Sequence, residues 1–256
     1  MKEYKAENNI FNNNIYRKNI YCNDLKNNYK TMKEYFKTKS NMENYLEGKA
    51  CSNFLENFEL LKYISSGSSG VVYEGKPKNE PNKRVCLKFL LNKSLEEKKD
   101  KSLKAKSDIQ KIKEIKIQNK LRNKNITHYY DYYNLKDYGC IIMEFAKYGD
   151  LDYFQKQLIQ RKNLSETLLV YIAKQILDGL YYIHQSKIIH MDIKQQNILI
   201  DENLNIKITD FSVSFSYENY KENDKIKLPL AGTSLYMSPE VLHKEKIDFE
   251  DCILTT

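Results

Sequence analysis

The chain has 256 residues, of which 41% are hydrophobic and 12% aromatic, so it is long and apolar enough for one large domain or two small ones and is not wholly disordered. Eight glycines and four prolines are too few for a collagen-like or linker-dominated chain. No apolar run reaches the ~20 residues of a membrane-spanning helix, and the first ten residues do not form a signal peptide. We therefore expect an intracellular protein, cytoplasmic or nuclear, without a membrane partner.

The formal net charge of +8 raises the question of a nucleic-acid partner. Almost all of the excess lies in residues 92–124, which carry a net charge of +7, and the whole chain has only four arginines. Nucleic-acid binders use arginine for phosphate and base recognition. The pattern therefore favours a solvated basic surface. The five cysteines are scattered without a Cys-x-x-Cys pair, which favours reduced thiols over disulfides or a zinc site.

Residues 1–57 are rich in Asn, Lys and Tyr and have no sustained period, so we expect a poorly ordered extension with short helices around residues 29–36 and 42–48. Strand-like apolar runs follow at 58–64, 71–76, 84–91, 129–135 and 139–146. A lysine-rich stretch at 93–113 leads into a predicted helix on which Glu114, Ile117 and Leu121 share one face.

The second half of the chain changes to a helical period. A long amphipathic helix is predicted with Ser165 as its N-cap and Glu166 in its first turn. Its apolar positions recur every three or four residues: Leu169, Ile172, Ile176, Leu180 and Ile183. Short strands are predicted at 197–201 and 206–211. The fold class is therefore α+β, with a small sheet-rich lobe joined to a helical lobe.

Two features of the first half suggest phosphate binding. Ser65, Gly67, Gly70 and Val72 are spaced as Ser-x-Gly-x-x-Gly-x-Val between two strands, and glycines let a backbone approach a polyphosphate. A plain glycine hairpin gives the same pattern. Lys88 interrupts an apolar strand, where its ammonium group would need anions such as ATP phosphates or a carboxylate. Alternatively, Lys88 points outward from an alternating strand.

The segment from His190 to Asn197 is more specific. It follows the long helix and contains Asp192, Lys194 and Asn197, and Asp210 comes thirteen residues after Asn197. A carboxylate base, a lysine, and an amide and a second carboxylate that can bind Mg²⁺ are the groups that phosphoryl transfer requires.

At this point the chain resembles a eukaryotic protein kinase of the serine/threonine type. The motifs, in the family's order, are the glycine loop, VCLK at Lys88, HMDIKQQN, DFS and GTSLYMSPE, and they span about 175 residues. The resemblance implies a bilobal fold: a small antiparallel-sheet N-lobe and hinge over 58–146 and a mostly helical C-lobe over 147–256. The family's pattern continues beyond SPE with further helices, so we expect an incomplete C-lobe. Either the sequence is a truncated or mis-assembled gene product, or a partner completes the fold.

The resemblance also implies roles for individual residues with ATP and Mg²⁺ as cofactors. Asp192 would be the base, Lys194 would neutralise charge on the transferred phosphoryl, and Lys88, oriented by Glu114, would hold the phosphates. Asn197 and Asp210 would bind magnesium. The adenine and phosphate pocket would be lined by Ser65, Gly67, Gly70, Val72, Cys86, Lys88, Met143 as gatekeeper, Glu144 and Ala146 of the hinge, and Leu199.

Lys194 and Thr233 resemble the serine/threonine branch, so the implied substrate is a protein Ser or Thr hydroxyl. Three residues depart from the family. Met191 replaces an arginine that, in the family, pairs with a phosphate on the activation loop. Ser212 replaces the glycine after Asp-Phe, and Gln118 replaces an apolar residue. These departures keep open the alternative of a weak or inactive kinase-like module that binds nucleotide or a protein partner.

Overall fold

The computed structural model describes residues 37, 39–40, 42–43, 52–67, 70–91, 112–135, 138–161, 165–221 and 224–243. These divide between two compact units. Unit 1 is drawn from Met1–Lys83, Leu87–Ile109 and Tyr133–Cys140, and unit 2 from Arg84–Cys86, Gln110–Tyr132 and Ile141–Thr256. Among the described residues no helix is sufficiently long and apolar to cross a membrane.

A five-stranded antiparallel sheet occupies the first half of the chain, as the apolar runs predict. Its strands, in the spatial order β1-β2-β3-β5-β4, are β1 Phe58–Gly67, β2 Gly70–Pro77, β3 Val85–Leu91, β4 Tyr129–Leu135 and β5 Tyr138–Glu144. In the β1–β2 hairpin Gly67 is opposite Gly70, and irregularities in register fall between Leu60 and Lys62 and between Tyr63 and Ser65.

Aromatic packing extends unit 1 before the sheet begins. A short helix α1, Ser52–Asn57, places Phe54 with its ring 5.3 Å from Phe58, 5.6 Å from Phe89 and 5.5 Å from Tyr133. Phe54 is almost fully buried, although the composition assigns residues 52–57 to the extension. Of the helices predicted in that extension, residues 29–36 and 44–48 lie outside the described residues, whereas Met42 and Glu43 are helical.

Helices and short hairpins form unit 2. Residues 112–120 form helix α2, followed by α3 Leu151–Gln160 and α4 Glu166–Gln185. The remaining elements are β6 Ile188–Ile189, β7 Ile198–Ile200, β8 Ile206–Ile208, β9 Phe215–Ser216 and α5 Pro239–Leu242, with 3-10 turns at Gln195–Asn197 and Ser234–Tyr236. β7 pairs antiparallel with β8, and β6 with β9. The predicted fold class is confirmed.

Helix α4 follows its predicted pattern closely. The Ser165 hydroxyl accepts the backbone N–H of Leu168 at 3.2 Å, which is the N-cap that the sequence predicts. Ile172 and Ile183 are buried in an isoleucine-rich core. The isoleucines of β7 and β8, Ile117 of α2 and Leu121 just after α2 belong to the same core. Leu169, the first residue of the pattern, is instead exposed.

A polar network also lies within this core. The Gln175 side-chain oxygen accepts Asn125 Nδ2 at 3.0 Å and the backbone N–H of Ile206 at 3.1 Å. Gly179 makes room for it, because a Cβ at that position would lie 2.8 Å from Ile208 Cδ1 and 3.3 Å from the Asn125 carbonyl oxygen. The glycine therefore lets α4 approach β8 and the segment at Asn125.

Candidate active site

The loop that follows β6 is held in place by a buried histidine. His190 Nε2 lies 2.9 Å from the Thr209 carbonyl oxygen, and His190 Nδ1 accepts the backbone N–H of Asp192 at 3.3 Å. These partners assign the hydrogen to Nε2 and a neutral ring. Burial lowers the pKa of His190, which keeps the ring neutral. The imidazole thus connects the loop bearing Asp192 to the segment that leads to Asp210.

Asp192 lies at the centre of a dense hydrogen-bond network. Its Oδ2 accepts Lys194 Nζ at 2.7 Å and Asn197 Nδ2 at 3.0 Å, and its Oδ1 accepts the Thr233 hydroxyl at 2.7 Å. Lys194 Nζ also donates to Thr233 Oγ1 at 2.7 Å. Three of the residues predicted from the sequence, Asp192, Lys194 and Asn197, therefore lie together, joined by Thr233.

The electrostatics of Asp192 follow from these contacts. Burial by itself raises the pKa of the Asp192 carboxyl, but the hydrogen bonds from Lys194, Thr233 and Asn197 and the Lys194 charge outweigh it, and the pKa lies below its ordinary value. The carboxylate is therefore ionised at neutral pH. It can accept a hydrogen bond from a hydroxyl group and orient that hydroxyl, rather than hold a proton in advance.

Gly232 brings Thr233 to Asp192. The residue has φ +104°, and a Cβ there would lie 2.2 Å from the Met191 carbonyl oxygen and 3.6 Å from Asp192 Oδ1. Both the backbone conformation and the space require glycine. The contact between residues 232–233 and 191–192 is therefore a direct backbone packing.

Asn197 and Asp210 carry the oxygens that could bind a divalent cation. Asn197 Nδ2 donates to the carbonyl oxygen and to Oδ2 of Asp192, at 2.7 and 3.0 Å, which leaves the amide oxygen as the ligand atom. Asp210 follows β8 with φ 66°, and the backbone N–H of Thr209 beside it donates to the Asn197 carbonyl oxygen at 3.0 Å. Amide and carboxylate oxygens fit Mg²⁺, which keeps several waters and phosphate oxygens in its shell.

A metal site formed by protein side chains alone would need a larger set of ligands. The described residues contain no group of three or more His, Cys, Asp or Glu side chains that could hold a metal ion. A two-residue set such as Asn197 and Asp210 would need waters or other oxygen ligands to complete the coordination of a magnesium ion.

The predicted hinge follows β5. Met143 is buried, and Glu144 donates its backbone N–H to the His128 carbonyl oxygen at 2.8 Å. The Glu144 N–H is therefore engaged within the protein. Ala146 lies two residues on. Leu199 is on β7, directly opposite Lys207 on β8.

In unit 1 the lysine of β3 is buried. Lys88 has 6% of its surface exposed, so the outward-pointing alternative is wrong. Cys86, two residues earlier, is half-buried and forms no disulfide with the described residues. On α2, in unit 2, Glu114 is buried on the same face as Ile117 and Leu121, as predicted.

The two glycines of the β1–β2 hairpin differ in what they permit. A Cβ on Gly70 would lie 2.0 Å from the Phe89 carbonyl oxygen, whereas no atom of the described residues lies within 4 Å of a Cβ on Gly67. Gly70 is therefore required by strand packing, and Gly67 leaves open space of the kind a phosphate needs. Ser65 and Val72 are register partners in the same hairpin.

Each of the three departures from the family pattern has a structural context. Met191 is buried, with φ 69°, in an apolar cluster that includes Tyr217, Ile226 and Leu228. Ser212 does not share the positive φ of Asp210, so serine is accommodated there without strain. Gln118 is buried, and its Nε2 lies 3.7 Å from Met143 Sδ, while its Oε1 has no hydrogen-bond partner among the described residues.

The sequence interpretation missed one charged residue near the hinge. Lys207 Nζ lies 2.7 Å from Glu144 Oε1 and 3.8 Å from Asp201 Oδ2. The sequence does contain a sign of this residue, because Lys207 interrupts the apolar strand Ile206–Ile208 just as Lys88 interrupts β3.

Comparison with known proteins shows to which family the chain is similar. The family model described as "Protein kinase domain" matches residues 58–251. The chain is 33% identical over 193 residues to human NUAK family SNF1-like kinase 1, with 75% of this chain and 27% of the relative covered. It is 34% identical over 203 residues to the probable serine/threonine-protein kinase fhkA of Dictyostelium discoideum, with 76% of this chain and 32% of the relative covered. The chain thus spans about a third or less of the length of these relatives.

Proposed function

The chain belongs to the protein kinase family, and on that premise we propose that it transfers the γ-phosphoryl group of Mg²⁺-bound ATP to a serine or threonine hydroxyl of a protein. The observation that carries the proposal is the network of Asp192, Lys194, Thr233 and Asn197. Bound ATP would supply the phosphoryl group, and magnesium would neutralise charge on the phosphates. The residues themselves would position the acceptor and balance the remaining charge.

Asp192 would orient the acceptor hydroxyl. The Thr233 hydroxyl donates to Asp192 Oδ1 and accepts from Lys194 Nζ, both at 2.7 Å. An aliphatic hydroxyl therefore fits between this carboxylate and this ammonium group, which supports a serine or threonine acceptor. Lys194 would stabilise negative charge near the acceptor.

The remaining assignments follow the family resemblance. Asn197 and Asp210 would bind magnesium, and Lys88 with Glu114 would hold the phosphates. Gly67 would let the loop backbone approach the phosphates. The other residues assigned to the nucleotide are Ser65, Gly70, Val72, Cys86, Met143, Glu144, Ala146 and Leu199.

Burial of Met191 supports a proposal on regulation. In place of an arginine that could pair with a phosphate, an apolar cluster joins Met191 to Ile226 and Leu228. Apolar packing would thus hold this segment without a phosphate, and we propose that the activity does not depend on phosphorylation of the loop.

A second candidate is a nucleotide-binding module without phosphoryl transfer. It is favoured by the unpartnered Gln118 Oε1, buried one helical turn from Glu114, because an unsatisfied buried oxygen destabilises the packing of the helix that carries Glu114.

The test is phosphorylation of a generic basic protein by the purified chain with Mg²⁺ and ATP. Asp192→Asn should lower the rate by about 10²- to 10⁴-fold, the usual contribution of a positioned base. Asp178→Asn is the matched control, because Asp178 also pairs with a lysine at 2.7 Å but on an exposed helix face. Hydrolysis of the product should yield phosphoserine or phosphothreonine. Thermal stabilisation by Mg²⁺ and ATP without transfer would support the module instead.

A further inference from the structure

Lys207 lies in the middle of an otherwise apolar strand, and it forms one short and one long ion pair. Its side chain is 12% exposed, and Nζ lies 2.7 Å from Glu144 Oε1, whose side chain is 22% exposed. Asp201 Oδ2 lies farther away, at 3.8 Å, and the Asp201 carboxylate also accepts the backbone N–H groups of Asn203 and Asn205. Glu144 is thus the near partner of Lys207.

Glu144 is held at three points. Its backbone N–H donates to the His128 carbonyl oxygen at 2.8 Å, and its Oε2 accepts the His128 N–H at 3.1 Å. Lys207 holds Oε1, the remaining carboxylate oxygen. With backbone and side chain both fixed, the peptide plane after Glu144 has little freedom, and it carries the carbonyl oxygen assigned to adenine.

The hairpin that carries Lys207 also carries the residue assigned to the opposite side of the adenine. Leu199 and Lys207 are register partners, so their side chains project from the same face of the hairpin. The segment just after the hinge is bound to the same hairpin, because Tyr148 N–H donates to the Ile200 carbonyl oxygen at 3.0 Å and Ile200 N–H to the Gly149 carbonyl oxygen at 2.9 Å. One hairpin therefore contacts the chain at the start of the hinge and directly after it.

We propose that Lys207 is a positioning residue for nucleotide binding, which acts through Glu144 to set the hinge relative to Leu199. The inference rests on the proposed nucleotide site. In this role Lys207 itself would not contact the nucleotide. Without its ammonium group, the half-buried Glu144 carboxylate would turn toward water, and the hinge would lose the arrangement that receives adenine.

The test compares ADP affinity, measured by calorimetry with Mg²⁺ present, for the wild type and for Lys207→Met, which keeps the aliphatic stem. We expect ADP binding to weaken about 5- to 20-fold, and the KM for ATP to rise by a similar factor while kcat changes less than about 2-fold. Lys207→Arg should restore most of the affinity. Glu144→Gln should weaken ADP binding, and the double variant should be no weaker than Lys207→Met alone, because both changes break one link.

Lys174→Met is the matched control, since it breaks a lysine–carboxylate pair of the same length, 2.7 Å, on an exposed helix. It should leave ADP affinity unchanged. Wild-type ADP affinity in Lys207→Met, or additive losses in the double variant, would overturn the inference. If Lys207→Met does not fold, Lys207→Arg and Glu144→Gln decide in its place, and equal affinity in Glu144→Gln and wild type would overturn it. A wild type that binds no nucleotide would refute the proposed function itself.

Discussion

Replacing Gly232 by alanine should detach Thr233 from Asp192. The new Cβ would lie 2.2 Å from the Met191 carbonyl oxygen, whereas real Cβ atoms keep at least 3.0 Å. The segment must therefore move by about 0.8 Å, which would lengthen the 2.7 Å bond between Thr233 Oγ1 and Asp192 Oδ1 to roughly 3.5 Å, beyond a useful hydrogen bond. The positive φ of 104° adds about 1–2 kcal/mol of backbone strain for alanine.

Gly149→Ala separates strain from displacement. Gly149 also has a positive φ, +73°, but the nearest atom to its Cβ would be Tyr153 Cδ1 at 3.8 Å. Both variants should lose about 1–2 kcal/mol of unfolding free energy from the backbone, measured by urea denaturation. Only Gly232→Ala should show a further loss of stability and, in the phosphorylation assay, a fall of more than about 10-fold in kcat. Equal stability and equal kcat in the two variants would refute this reasoning.

Three further predictions concern the glycine hairpin, the buried glutamine and the apolar cluster. Gly70→Ala should destabilise the fold by about 1–3 kcal/mol through overpacking, whereas Gly67→Ala should stay within about 0.5 kcal/mol of the wild type yet weaken ATP binding; the opposite order in thermal denaturation would contradict this. Gln118→Met should raise the melting temperature, because it removes a buried oxygen whose unmet hydrogen bond costs about 1–3 kcal/mol; a lower melting temperature would show that its contact with sulfur dominates. Phosphatase treatment should leave activity unchanged, and Met191→Arg should lower stability by placing a charge in an apolar cluster; an enzyme silenced by phosphatase would contradict the regulatory proposal.

Local patterns predicted the elements well because their causes are local. The Ser165 cap and the Glu114–Ile117–Leu121 face of α2 depend on residues a few positions apart, and the structure has both. The pattern was wrong for Leu169, which is exposed. A helical period assigns a face, but the extent of that face which is covered depends on what packs against it.

Sequence patterns could not predict contacts between residues that are distant in the sequence. Gln175 would be placed on a solvated face by its polarity, yet it is buried because Asn125 and the Ile206 backbone satisfy it. Lys207 is a similar case, since the ion pair that explains its burial is with Glu144, more than sixty residues earlier. Phe54 was assigned to a polar extension because composition averages over the segment, whereas one aromatic side chain suffices to join the core.

The candidate site was predicted in outline because phosphoryl transfer demands particular residue types in a particular order. That order indicated Asp192, Lys194 and Asn197, which the structure brings together. It did not indicate that Gly232 is dictated by a backbone contact with Met191, because such a contact depends on the path of the chain between them.

The most direct test of the central claim is Mg²⁺-dependent ATP binding by the wild type, Lys88→Met and Asp210→Asn, measured by calorimetry. If these side chains serve one nucleotide and its metal, the wild type should bind ATP more tightly with Mg²⁺ than without. Lys88→Met should weaken binding but retain the Mg²⁺ effect, and Asp210→Asn should lose the Mg²⁺ effect. Affinities that are identical in all three proteins, or a Mg²⁺ effect that survives Asp210→Asn in full, would contradict the account.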